Sequence, residues 1–557
     1  MCMKDHGELL SKKSLPELID LIEQLITEVG QLKAEVTQLK AENGQLKVEN
    51  MRLRTENQQL RDELSHFKGL PPKPKIEPSK LEKPDQKGGG KEKNWSKGSK
   101  NAKLVIDEVV TIEVPADQKP AGAVFKGYRT YIVQDVIIKK HVTEYRLEQW
   151  LKPDGHYVAA KVPASVSGHF GPGLRQYIVD QHQAGRVPQN RIVQGLNDKG
   201  VAISEGQVNN ILLETGLALK QEVDELFAAG QKSPVLQADD TGARHKGKNG
   251  FTTVLCNIFF TYFKSGNSKS RINFLSILCG GNLEYTITPE ALMYIEAFNQ
   301  KDATMDLMRE PMNRHFANPE DWNMFLMKHQ FGEKTRRILT EGALIGTLLA
   351  RGALTLDTII MSDKAGQFNL FRHVLCWIHI ERLIKRLIPL NEQDKVEIEQ
   401  VLDNFWNFYR SLKAYKTSAP ELQAGLKKEL QLKFDEVFSF RATEIPLAKA
   451  LKTIRDCKDQ LLLVLDHPDI PLHNNLSEGD IREHVTKRKV CGGTRSDDGR
   501  DARDIFTSLY KTCKKLGISF WDFLGDRIHN IRKIPPLADL IKEKIVAART
   551  RRMAAGP

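Results

Sequence analysis

Three acidic residues stand far apart in this chain, each in a setting where a carboxylate could hold a metal. Asp239 closes the apolar run Pro234-Val235-Leu236-Gln237-Ala238 and is followed by Asp240-Thr241-Gly242, which predicts a turn. Asp363 follows Thr358-Ile359-Ile360-Met361-Ser362 in the same way, and Glu478 opens a basic helical stretch after Asn474-Asn475-Leu476-Ser477. Two carboxylates at strand ends and a third on a helix are the donor set of a two-metal nuclease or strand transferase. Hard divalent cations take oxygen ligands, and a metal pair activates the attacking oxygen and stabilises the leaving one. Taken singly, each has a plainer role. An Asp after an apolar run is usually a turn former or helix cap, and Glu478, four residues before Arg482, fits an ordinary helix-face ion pair. The three are 124 and 115 residues apart, so only the fold can bring them together.

The strings ADDTGARHKG, SDKAGQFN, HVLCWIHIERLIKRL and HNNLSEGDIREHVTKRKVCGGTRSDDGRDA, in that order, resemble DDE transposases of the bacterial insertion-sequence-sixty-six family, from about Gly171 to Leu524. The resemblance implies an RNase H-like fold and a catalytic, metal-ligating triad of Asp239, Asp363 and Glu478. It implies Mg2+ as cofactor, with Mn2+ able to substitute, and metal-dependent strand cleavage and strand transfer at transposon ends. The chain departs from the family pattern at several points. Asp240 stands where the family has Glu, His473 where it has Asp, Gly479 where it has Arg, and Val490 where it has Asn. The segment between the two aspartates is also longer, with an added helical-looking stretch near residues 284 to 342. A second reading from another class is a catalytically inactive, transposase-derived dimeric DNA-binding regulator; Gly479 leans towards it, the intact acidic set against it.

Net charge is +12 over 557 residues, which favours a polyanionic partner, double-stranded DNA in this reading. The seven cysteines are scattered without a C-x-x-C pair, so neither a disulfide framework nor a four-cysteine zinc site is indicated. No run of 18 apolar residues and no secretory h-region occur. The expectation is a reduced, cytoplasmic, nucleoid-associated bacterial protein with no membrane contact.

The expected architecture is multidomain α/β: an RNase H-like mixed sheet with a helical insertion, preceded by a parallel coiled coil, a basic linker, a small β module and a helical domain. In residues 15–67, Leu18, Leu25, Leu32, Leu39, Leu46, Leu53 and Leu60 recur every seven positions. The matching a positions are Ile22, Val29, Val36, Asn43, Asn50, Asn57 and Leu64, and Glu and Lys or Arg flank the seam. β-Branched and Asn residues at a with Leu at d specify a parallel dimer. Residues 68–103 hold 11 Lys against 4 acidic residues among Pro and Gly, a linker that cannot bury enough surface to fold alone. Its Trp95 is a candidate stacking residue. Residues 104–167 read as a small β module; it lacks the cysteines that the resembling family often has there, and His141 and His156 alone make no zinc site. Residues 168–230 read as a helical DNA-binding domain with a candidate helix-turn-helix. Pro188 to Lys199 would form one helix, Gly200 the turn, and Ser204 the cap of a second whose Gln207, Asn209 and Asn210 face DNA. A plain helical hairpin is the alternative.

The RNase H-like core would begin at 231–390, with strands at Val235–Asp239, Thr252–Phe260, Asn273–Leu278, Thr358–Asp363 and His373–Ile378. An all-helical insertion at 391–465 and a closing helix with a basic segment at 466–530 follow, then a basic tail at 531–557. Cys376-Trp377-Ile378-His379 reads as a strand end with buried Cys and Trp, or as a histidine near the scissile phosphate. Arg482, Lys487, Arg488, Lys489 and Arg495 form a candidate phosphate-binding face, because the guanidinium fork grips two phosphate oxygens. Element-encoded accessory proteins are further candidate partners.

The heptad seam gives a direct expectation. Replacing Leu32, Leu39 and Leu46 together with Ala should lower self-association. The isolated segment 15–67 should sediment as a dimer at tens of micromolar; a monomer there would refute the assignment.

Overall fold

The computed structural model describes residues 105–554 apart from 120, 121, 164–167, 282 and 444, together with scattered positions between 16 and 56. It divides into two units, Met1–Gln134 and Asp135–Pro557. In the first, the described positions between 16 and 56 are helical, and Val29, Val36 and Leu53 of the heptad seam are about half exposed. Leu18, Leu25, Leu32, Leu39, Leu46 and Leu60 and the whole linker 68–103, Trp95 included, lie outside the described residues.

The expected β module is largely absent. Among the described residues from 105 to 163, two three-residue strands form, β1 (Gln149–Leu151) and β2 (Tyr157–Ala159), paired antiparallel. The alternating Val109, Thr111 and Glu113 and the runs Tyr131-Ile132-Val133 and Val136-Ile137-Ile138 are not strand residues and stay exposed. A pleated ribbon needs something to bury its apolar face against, and a lone two-stranded pair is marginal.

Four helices come next: Pro172–Gln183, Gln189–Asn197, Glu205–Ala218 and Lys220–Gln231. Ser204 caps the third through a reciprocal box with Gln207, so the Gln207 side chain is committed to the Ser204 backbone N–H.

The core is a mixed five-stranded sheet in the order β5-β4-β3-β8-β9. β3 (Val235–His245) pairs antiparallel with β4 (Lys248–Cys256), and β4 with β5 (Thr261–Gly266). In the chain between β5 and β8, the short strands β6 (Tyr285–Thr286) and β7 (His315–Phe316) pair with each other as a separate two-stranded sheet. β8 (Ile359–Ser362) and β9 (Arg372–Leu375) then add in parallel. The turn expected at Asp240–Gly242 is strand instead. β4 offers partners as far as His245, and the chain reverses at Lys246-Gly247, both with positive φ, as a two-residue hairpin requires.

The expected strand at Asn273–Leu278 is a helix, Arg271–Leu278. Ser270 caps it by accepting the Asn273 N–H, and a short apolar run does not by itself distinguish helix from strand. The single run expected at Thr252–Phe260 ends at Cys256. The Asn257 side chain takes the N–H groups of Phe259 and Phe260, turning the chain into β5. Likewise, strand structure stops at Leu375, and Trp377 opens a helix, Trp377–Lys385. Trp377 is buried among Phe405, Phe408, Phe434 and Phe438 of the helices Glu392–Tyr415 and Pro420–Phe438.

The edge strand β5 is closed by side chains. Thr261, Phe263 and Ser265 donate backbone N–H groups to Thr512, Ser508 and Asp504 of the helix Asp497–Leu516, at 3.1, 2.9 and 2.6 Å. Two strand residues rise about 6.6 Å and four helix residues about 6 Å, so the two periods match and no edge is left to pair elsewhere. The helix Asn475–Cys491 lies on β3 and β4 and is anchored by buried Asp480, which takes the Thr261 hydroxyl at 2.7 Å and pairs with Lys511 and Lys515. No described helix is long and apolar enough to cross a membrane.

This packing corrects one expected phosphate contact. Lys487 is 1% exposed, and its ammonium donates to the Gln183 side chain. Burial first, then the Arg503 charge, pushes its pKa down from 10.5 to about 7. Between those values the unfolded chain binds the extra proton, so this lysine makes stability rise with pH across that window. Lys487→Met should flatten that rise, which amounts to at most about 1.4 kcal/mol per pH unit. It should leave nucleic-acid affinity unchanged. Urea midpoints at both ends of the window check this, and identical slopes in both proteins would refute it.

Candidate active site

The parallel pairing of β3 with β8 aligns Val235 with Ile359, Leu236 with Ile360 and Gln237 with Met361. Continued two residues further, that register sets Asp239 level with Asp363, just past the end of β8. Asp239 is still strand, because β4 continues to pair with it at Val254. Its Oδ1 accepts the Asp240 N–H at 2.8 Å. Even so, burial raises its carboxyl from 3.8 to about 7, and the charges of Asp363, Asp240 and Glu478 push the same way.

Asp363 leads into a tight loop. Its Oδ1 accepts the Ala365 N–H at 3.0 Å, and the short 3-10 turn Gly366–Phe368 follows. Gln367 in that turn donates to Asp240 Oδ2 at 2.7 Å, while Thr253 donates to Asp240 Oδ1 at 2.5 Å. Asp240 therefore ties β4 and the Asp363 loop together, and its carboxyl is raised chiefly by burial.

Glu478 lies in the first turn of Asn475–Cys491. The preceding Ser477 N–H reaches Gln237 Oε1 at 3.4 Å, which docks the helix start two residues from Asp239. Glu478 Oε1 lies 3.5 Å from His379 Nε2 and 3.5 Å from an Arg382 guanidinium nitrogen. That oxygen is buried and accepts no hydrogen bond; His379 Nδ1, His473 Nδ1 and both polar atoms of the Asn474 side chain are likewise unpartnered. His379 is held below its usual pKa by burial first and then by Arg382. Its position is set by Cys376, which precedes the helix and receives the Asn474 N–H at its sulfur, and by the Trp377 N–H bond to Leu472 O.

Among the described residues, no group of three or more His, Cys, Asp or Glu side chains is posed to hold a metal ion as it stands. The donor chemistry nevertheless fits a hard divalent cation. An aspartate whose charge is disfavoured by burial and like neighbours, and a buried carboxylate oxygen without a donor, are both relieved by one.

Of the candidate DNA contacts, Arg482, Lys489 and Arg495 are exposed and Arg488 is half-buried. Asn210 is exposed, and Asn209 accepts from Gln189 at 3.4 Å. Asn209 and Arg495, far apart in sequence, line one cleft with Gln189, Asn190, Arg503 and Phe506. Gln237 and Gln367 were missed at the sequence level. Gln237 had only its polarity within an apolar run as a signal, and Gln367 had none.

The Transposase IS66 family matches residues 167–280 and 333–502. The interval 281–332 contains β6, β7 and the three helices Pro289–Glu296, Asp302–Arg309 and Pro319–Lys328, so the added segment expected near 284–342 overlaps the interruption of the family match, while its last residues, 333–342, belong to the second matched block. An uncharacterized protein of Sinorhizobium fredii, y4jO, is 41% identical over 323 residues, covering 57% of this chain and 99% of that protein. With both blocks of the match carrying the sheet and the Glu478 helix, this chain belongs to the IS66 family of transposases.

Proposed function

We propose that the chain is an active DDE transposase that cleaves DNA at transposon ends and joins the freed strand to target DNA, with Asp239, Asp363 and Glu478 as the metal-holding triad. Family membership supports the general activity. The observation that supports the site assignment is the parallel β3–β8 register, which continued two residues sets Asp239 level with Asp363, together with the Ser477–Gln237 contact that docks the start of the Glu478 helix two residues from Asp239. Counted from β3, the central sheet reads 3-2-1-4-5, which supports an RNase H-like core. Bound Mg2+, or Mn2+ in its place, would activate an attacking oxygen and stabilise the leaving one.

The chain's own residues do the rest. Asp240 and Gln367 hold the Asp363 loop against β4, and Gln237 seats the Glu478 helix. Exposed Arg482, Lys489 and Arg495 supply phosphate contacts, and the helix pair Gln189–Asn197 and Glu205–Ala218 acts as the helix-turn-helix, reading DNA through Asn210. The N-terminal heptads make a parallel homodimer that pairs two ends, an arrangement supported by the half-exposed Val29, Val36 and Leu53. The inactive-regulator reading predicts the same binding without cleavage.

Asp239→Asn, Asp363→Asn and Glu478→Gln should each lower cleavage and strand transfer by at least roughly 100-fold, the loss that partners around a metal site already reach. DNA affinity measured without divalent metal should stay near wild type. Asp240→Asn keeps one oxygen to accept from Gln367 and can donate its amide to the Thr253 hydroxyl, so it should be far milder. Assays on DNA carrying the inverted repeats that flank the gene decide the matter; wild-type protein that binds these ends with Mg2+ and never cuts them is the regulator.

Lys489→Ala and Arg495→Ala should each reduce the slope of log affinity against log salt by about 0.9. Unchanged slopes would remove these residues from the interface.

A further inference from the structure

We propose that Arg382, aided by His379, is a positioning residue that holds Glu478 by its carboxylate and releases it when a DNA phosphate takes the guanidinium, so that DNA engagement delivers the third metal ligand. This inference rests on the metal-site reading above. Four observations support it.

Arg382 and His379 contact the same oxygen, Glu478 Oε1, each at 3.5 Å. At that length neither contact is a hydrogen bond, and this buried oxygen accepts none from any other group. The hold is therefore electrostatic and weak, as partly exposed pairs are. The Arg382 and Glu478 side chains are 37% and 28% exposed, so an incoming phosphate can reach the pair.

The base of the device is rigid while its tip is free. His379 and Arg382 lie three residues apart on the helix Trp377–Lys385, and Trp377 is locked into the aromatic core of the neighbouring helices. Release of Glu478 thus needs only a side-chain rotation.

The exchange is chemically favourable. A guanidinium fork binds two phosphate oxygens at once, whereas it touches Glu478 through one oxygen at long range. A carboxylate oxygen shared with a guanidinium is also a poor metal ligand, because two cations compete for it. Freed from Arg382, Glu478 regains that oxygen for a cation. DNA and metal should then bind with positive coupling, and such coupling is reciprocal.

The test is Mn2+ binding to the full chain, read by the loss of the free-ion paramagnetic resonance signal, with and without a mixed-sequence DNA duplex. Wild type should bind Mn2+ about tenfold more tightly with the duplex, within the usual range of coupling between sites. Arg382→Ala should reach the tight affinity without DNA, and the duplex should add little. Arg382→Gln, which keeps most of the side-chain volume, should behave alike if the Ala variant folds poorly. Glu478→Gln should lose the DNA effect.

If both Arg382 variants keep wild-type Mn2+ affinity and wild-type coupling, the proposal is overturned while the metal site stands. Asp239→Asn separates the two readings. If it abolishes Mn2+ binding, the site assignment holds and the Arg382 result decides alone; if Mn2+ binding survives it, the site assignment itself fails and takes this proposal with it.

Discussion

The structure depends on the parallel pairing of the long strand β3 with the short strand β8. Parallel neighbours cannot be joined by a tight turn, so a long crossover must intervene. Here it carries β4, β5, the added segment and the buried helix Glu333–Ala350. In return, the carboxyl ends of both strands leave the sheet at the same edge, where open α/β sheets offer their ligand crevices. β8 stops at Ser362 while β3 runs on, paired with β4 and bridged at His245 to Thr494. The resulting notch is flanked by Asp239 on one side and by the Asp363 loop on the other.

Burying carboxylates at one edge is electrostatically costly: burial first, and then the charges of Asp363, Asp240 and Glu478, raise the Asp239 carboxyl from 3.8 to about 7. The surrounding groups are arranged to bear it. The Asp240 carboxylate accepts hydrogen bonds from Thr253 and Gln367, and Glu478 faces Arg382 and His379. Rigidity comes from further away: the side-chain ladder that closes β5, and the buried Asp480 with its two lysines, fix the Glu478 helix against the sheet. A site under like-charge strain holds its shape only if its supports are stiffer than the repulsion, and these supports are buried hydrogen bonds and ion pairs.

The buried polar groups separate support from function. Lys487 belongs to a stretch that reads as uniformly basic, yet it points into the protein. Its neighbours Arg482 and Lys489 face water. A helix distributes consecutive charges around its whole circumference, so only some of them can meet DNA.

The sequence by itself determined the chemistry on offer: which carboxylates end apolar runs, where the heptads lie, where the helix cap at Ser204 begins, and to which family the ordered motifs point. Those signals are local, or linear in order, and survive without a fold. The sequence did not decide the strand at Asp240–His245 or the helix at Arg271–Leu278. A run of a few apolar residues suits both periods until a partner strand or a cap selects one. Nor did it decide that residues 105–163 would go almost without strands, since alternation yields a sheet only where another layer can bury it. Only the tertiary structure set Asp239 level with Asp363, turned Arg382 and His379 towards Glu478, and placed Asn209 beside Arg495. Each of these joins residues far apart in the chain, and long-range pairing is fixed by packing and register, which no single segment encodes.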